Sequence, residues 1–203
     1  MRRVSIIIIF LQSLIATAQS EYYQSVLNHQ DSVNMRFADS ATSILPEVER
    51  LIFQGLDFFE PNDSFRIKGL FKEKRFKRCF KMETSTDRKP KYRVYGIFTF
   101  ELNGETHTLE IYQNMRLRKK KGYENYLFCP FKDLTCGGSS YGGGRYLDFT
   151  IDQLKSDPLV DFNFSYNPYC TYNYKYSCPV PPVANHLKVH INAGIKNFEH
   201  LTE

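Results

Sequence analysis

The chain has 203 residues, 42% of them hydrophobic, ample for one domain whose core needs no disulfide or metal staple. The 17 Phe and 14 Tyr, with 24% charged residues, exclude a wholly disordered or collagen-like chain. The formal charge of +5 drops to +3 without Arg2 and Arg3, too mild to call for a polyanion, so no nucleic-acid partner is expected.

The first twenty residues read MRRVSIIIIFLQSLIATAQS. Arg2 and Arg3 are a basic start, Val4 to Leu14 an apolar stretch, and Ala16-Thr17-Ala18 a small-residue cleavage site. This is the layout of a secretory signal peptide, expected over 1–18. The apolar stretch falls short of the ~20 residues that a membrane span needs. The mature chain is therefore expected outside the cytoplasm, periplasmic or extracellular, with no transmembrane segment. Residues 19–44 follow as a helical extension, with Tyr22, Tyr23, Val26, Leu27, Val33 and Phe37 at roughly helical spacing and Gln30 weakening the stripe. A short helix comes next: Pro46 suits its first turn, Glu47 and Glu49 its positive end, and Gly55 its stop.

Residues 45–203 are expected to form a single mostly-β domain, because from Phe65 onward the period changes to two. Ile67, Gly69 and Phe71 alternate with Arg66, Lys68 and Lys72. The clearest unit runs from Tyr92 to Asn114 around Asn103-Gly104, a two-residue turn in which both positions want positive φ. That turn sets 102 against 105, 100 against 107, 98 against 109 and 96 against 111. Phe98, Phe100, Leu109 and Ile111 then share one face, with His107 opposite Phe100, and Thr99 lies opposite Thr108 on the other. Further short strands are expected around Tyr126–Phe128, Arg145–Ile151, Val160–Phe164 and Leu187–Ile191. The fold class is mostly β, α+β at most: a curled antiparallel sheet or barrel-like sandwich fronted by N-terminal helices. Two basic runs, Lys68 to Lys81 and Arg116 to Lys121, read as charged edges that deter strand-to-strand aggregation.

Five cysteines, at 79, 129, 136, 170 and 178, are an odd number, so at least one stays free or pairs between chains. Cys129, within Leu127-Phe128-Cys129-Pro130, reads as a small buried hydrophobe. Cys170 and Cys178 are the preferred disulfide. Seven-residue gaps along Cys170, Cys178 and His186 fit no usual zinc spacing, so no metal site is assigned and no cofactor is expected.

Polar and special-backbone residues concentrate between Phe131 and Gly194. Tyr141-Gly142-Gly143-Gly144-Arg145 leads into a strand rather than a helix, which excludes a phosphate loop and suits a tight corner. Along that strand Arg145 shares a face with Leu147, Phe149 and Ile151, while Tyr146 shares the other with Asp148 and Thr150. A guanidinium on an apolar face needs an anionic ligand or a carboxylate, Asp161 or Asp133 by preference, at the mouth of the barrel. Asp161, Asn163, Tyr166 and Asn167 offer donors, acceptors and flat rings, as loop scaffolding or as a binding wall. The candidate ligand-binding residues are Tyr141, Gly143, Arg145, Asp148, Asp161, Asn163, Tyr166 and Asn167.

Phe131-x-Asp133-x-Thr135, Tyr141-Gly-Gly-Gly-Arg-Tyr-Leu-Asp148, Asp161-Phe-Asn163, Tyr166-Asn-Pro-Tyr-Cys170, Cys178-Pro-x-Pro-Pro182, Asn185-x-Leu187 and Ala193-Gly194 occur in this order. Over roughly Leu45 to Asn197 the chain closely resembles a bacterial family called domain of unknown function 1684, and its compact secreted branch in particular. Family members often carry an acid near Ser139 and a Glu where this chain has Ile195. The resemblance implies no substrate and no catalytic residue. The function expected first is noncatalytic binding of a small polar or anionic ligand. The alternatives are a hydrolase of a cell-envelope or dietary polymer, using Asp148 or Asp161 as acid or base, and a structural or partner-binding envelope module.

Overall fold

A computed structural model describes residues 2–76 and 78–200, with side chains from residue 20 onward. Helix α1 is Arg2–Ala38. Over its described side chains it buries Val26, Gln30, Val33 and Phe37, one stripe at spacings of four, three and four. Gln30 keeps its place in that stripe by donating to the Phe59 carbonyl. The signal peptide expected over 1–18 lies outside the residues with described side chains. Among the described residues, no helix is long and apolar enough to cross a membrane. Helix α2, Glu47–Leu51, begins after Pro46 as expected but ends at Ile52, short of Gly55.

Eight strands follow: β1 Arg66–Lys68, β2 Leu70–Glu73, β3 Cys79–Lys81, β4 Lys91–Leu102, β5 Glu105–Asn114, β6 Tyr126–Phe131, β7 Arg145–Thr150 and β8 Leu159–Asp161. The main sheet is antiparallel in the order β2-β4-β5-β6-β7, with β3 also on β4, and β1 pairs with β8 separately. The β4–β5 hairpin has the register that its turn demands: Leu102↔Glu105, Phe100↔His107, Phe98↔Leu109 and Gly96↔Ile111. Asn103 (φ 54°) and Gly104 (φ 79°) both take the left-handed conformation. One residue further on, Tyr95 is inserted as a bulge, since Val94 pairs with Tyr112 and Gly96 with Ile111. The bulge swaps faces. Phe98 and Phe100 point into the main core with Leu109, Ile111, Leu127, Cys129, Leu147 and Phe149. Tyr92 joins Tyr112, Phe128 and Tyr146 in a second, aromatic cluster on the opposite face.

The sheet does not close into a barrel: among the described residues no strand joins β7 back to β2. Three expected strands also differ. The strand from Arg145 stops at Thr150, whose side chain caps helix α3, Ile151–Ser156, by accepting from the Gln153 N–H. After β8, Asp161 accepts from the Asn163 N–H and turns the chain into a short 3₁₀ segment. Residues 187–191 form no strand, because their backbone groups are met elsewhere: Leu187 N–H by the Lys132 carbonyl, Val189 C=O by Leu134 N–H, and Ile191 C=O by Arg145.

Arg145 fastens this last stretch to the sheet. It is completely buried, and its Nη2 meets Asp133 Oδ2 at 2.8 Å. Nη2 also donates to the Ile191 carbonyl at 2.9 Å, and Nη1 donates to those of Ala193 (2.5 Å) and Ile195 (3.2 Å). Asp133 Oδ1 accepts from the N–H and hydroxyl of Thr135. The carboxylate expected for Arg145 is thus Asp133, enclosed in the core rather than at a mouth. The corner before it needs Gly144, since a Cβ there would stand 2.5 Å from the Phe131 carbonyl oxygen.

Asn185 repairs a gap in the sheet. Strands β5 and β6 register only at Tyr112↔Phe128. Beyond that point the Asn185 amide accepts from Glu110 N–H (2.7 Å) and donates to the carbonyls of Glu110 (2.9 Å) and Pro130 (2.8 Å). It stands in for a peptide unit of the missing ladder.

Replacing Arg145 with Ala leaves Asp133 charged and alone in the core. The expected loss is about 3–5 kcal/mol of unfolding free energy, read from urea denaturation. Asn185→Ala exposes no charge but orphans three backbone groups, and is expected to cost at least the ~1–3 kcal/mol of one such group in the same assay.

Candidate functional site

Strand β7 divides its residues between two tasks. Arg145, Leu147 and Phe149 face the core, and Tyr146 and Asp148 face the aromatic side, as the alternation predicts. Opposite Asp148 stands Phe128, and opposite Thr150 stands Tyr126, so β6 brings a phenol to the same face. Tyr166 arrives from the following loop, through a two-way backbone bridge with Tyr146.

These residues line a cleft of ≈ 740 Å³ between the described part of α1 and the aromatic face of the sheet. Asp148 Oδ1 accepts hydrogen bonds from the hydroxyls of both Tyr126 and Tyr166, each at 2.7 Å. Its Oδ2 has no partner among the described residues, and no cation is paired with it. Asp148 is open to solvent within the cleft, yet protein surrounds it closely enough that desolvation raises its pKa, against the lowering pull of the two phenols. Burial and the adjacent carboxylate raise the pKa of Tyr126 and Tyr166, so both stay protonated as donors. The Tyr146 and Tyr166 rings meet edge to face at 5.7 Å, and Phe128 packs against Tyr146 at 4.7 Å.

Of the eight candidates read from the sequence, Asp148, Asp161, Tyr166 and Asn167 line this cleft. Asp161 is already engaged: Tyr22 donates to Oδ2 at 2.8 Å, and Asn163 donates to Oδ1 through both backbone and side chain. Asn163 also bonds Asn62 and Tyr22, which makes it a brace between α1 and the body. Asn167 donates to the Lys196 carbonyl at 2.9 Å. Tyr141 and Gly143 belong to the Gly-rich corner and do not line the cleft, and Arg145 is enclosed in the core. Tyr126 and Tyr92 are among the lining residues that sequence reasoning missed. Alternation puts Tyr126 and Asp148 on one face only after β6 and β7 are registered, and the long connection between them hides that register.

The expected Cys170–Cys178 disulfide is not present. All five cysteines are free thiols. The two are adjacent, with the Cys170 N–H donating to Cys178 Sγ at 3.1 Å. A hydrogen bond from the Cys178 thiol lowers the pKa of Cys170 to about 6 and raises that of Cys178. Cys129 is wholly buried, with a raised pKa, as expected of a packing residue. Among the described residues no group of three or more His, Cys, Asp or Glu is placed to hold a metal.

Residues 52–196 match the model of a family described as a protein of unknown function (DUF1684). The chain is also similar to an uncharacterized protein of Haloarcula marismortui, known from a solution NMR structure, at 29% identity and a TM-score of 0.67. That alignment covers 92% of this chain and 99% of the other. No curated protein matches.

A raised carboxyl pKa makes a testable mark on stability. Its contribution is fully present below the unfolded-state pKa of Asp and is lost as pH rises through the higher folded-state value. Asp148→Asn keeps an oxygen for both phenols and removes the charge. The variant is expected to be at least as stable as the parent at pH 7, with its advantage shrinking as pH falls through the raised pKa. Melting curves from pH 3 to 8 measure this difference.

Proposed function

We propose that this chain, which belongs to the family of unknown function DUF1684, binds a small polar molecule at Asp148 without transforming it. One observation carries the reading: a carboxylate fixed through one oxygen by two phenols presents its other oxygen, unpaired, to an aromatic cleft large enough for a small ligand. The fixed oxygen sets the orientation, and the rings supply apolar area with little rotamer freedom to lose. Arg145 gives an anionic ligand no support, since it is enclosed in the core with Asp133. The signal-like residues 1–18 support a secreted, periplasmic or extracellular setting for this binding.

A hydrolase reading has one observation in its favour, the raised pKa of a carboxylate open to solvent. It lacks a second free carboxylate, because the other acid of the cleft, Asp161, is held by Tyr22 and Asn163. Binding without chemistry needs no second carboxylate.

The test is a small-molecule screen by thermal shift, with hits placed by amide chemical-shift mapping. A true ligand at a hundred times its Kd raises stability by about 2.7 kcal/mol. Expected are hits that perturb Tyr126, Asp148 and Tyr166, are recovered unchanged, and lose their effect in Asp148→Asn. Hits confined to other surfaces, or consumption of the hit, would overturn the reading.

A further inference from the structure

We infer that the ligand of the Asp148 cleft carries an organic ammonium group, a protonated or quaternary amine. This rests on the binding reading above and names the chemistry of the ligand. The argument begins with charge. Asp148 has no Lys, Arg or His paired with it among the described residues, and its Oδ2 accepts no hydrogen bond. Asp161, the other acid of the cleft, has both oxygens occupied. Arg36 lies exposed on the helical wall and makes no ion pair with Asp148. His29, on the same wall, has its pKa lowered by burial and by Arg36, and stays neutral at pH 7. A ligand that fills the cleft displaces the water around Asp148. A neutral ligand would leave the carboxylate desolvated without an opposite charge, whereas a cation supplies it.

The walls select the kind of cation. Tyr126 and Tyr166 spend their hydroxyl hydrogens on Asp148, so their rings and those of Tyr146, Tyr92 and Phe128 are what remains to be offered. Aromatic faces attract a cation through the ring quadrupole, and tyrosines beside a carboxylate suit an ammonium on an apolar body better than a strongly hydrated metal ion. The same faces repel anions, and the hydroxyl hydrogens of Tyr126 and Tyr166 are already given to Asp148.

The test compares each cation with its neutral isostere on the purified protein: choline against 3,3-dimethylbutan-1-ol, and butylammonium against butan-1-ol. Chloride is matched with NaCl, and binding is read from amide shifts of Tyr126, Asp148 and Tyr166. The expected result is at least tenfold tighter binding of one cation than of its isostere, with that preference lost in Asp148→Asn. Preference for choline assigns a quaternary group, and preference for butylammonium a protonated amine. Equal binding of cation and isostere in the cleft would overturn the ammonium inference and leave the binding reading standing. So would failure of both cations while another molecule from the screen occupies the cleft. If nothing in the screen or in this series perturbs the cleft, both fall. The wild-type comparison decides between these outcomes even if the variant does not fold.

Discussion

The structure depends on one enclosed ion pair. Arg145 cannot give up its charge, and it lies where water does not reach, so the fold must answer it with a carboxylate and with carbonyls. Asp133 supplies the charge, and the carbonyls of Ile191, Ala193 and Ile195 accept from Nη1 and Nη2. The consequence is geometric as much as energetic. A stretch of chain with little ladder of its own is held against the sheet because a side chain replaces the neighbouring strand. The guanidinium also lies 5.4 Å from the Phe131 ring and 5.8 Å from that of Phe59, so aromatic faces flank the charge it keeps.

The same strand carries the other half of the molecule's character. Side chains alternate, so fixing Arg145 inward fixes Tyr146 and Asp148 outward. The bulge at Tyr95 and the register of β6 then deliver Tyr92 and Tyr126 to that outer face. Two acids of the chain end in opposite states. Asp133 is neutralised by a charge within the fold, and Asp148 is steadied by phenols that leave it a charge to spare. The contrast separates a residue that organises the core from one that is available to a partner.

Much of this was legible in the residues. Asn103-Gly104 dictates one hairpin register, and the alternating Phe and Leu beside it agree, so that unit could be read outright. The two faces of β7 and the need for a carboxylate at Arg145 followed from strand period and charge alone. Other features depend on distance in space. Period-two patterning cannot tell an open sheet from a closed one, and it cannot see that Thr150 ends a strand by capping a helix. The cleft escaped for the same reason: Tyr126 and Tyr166 meet Asp148 across two different connections, and local spacing records neither. The polar run from Asp161 to Asn167 stands out in the sequence as a cluster, but Asn163 and Asn167 turn inward to brace the chain.

Asn185 bears on the order in which the protein is built. The amide that joins β5 to β6 is 75 residues beyond Glu110 in the chain, and the carbonyls that receive Arg145 come later still. A nascent chain emerging from the ribosome can close the β4–β5 hairpin early, because its contacts are local. Its central joint, in contrast, waits for Asn185, and the carbonyls that share Arg145 with Asp133 wait for Ile191 to Ile195. Until then the edge of β5 is open to water or to whatever protein escorts the chain.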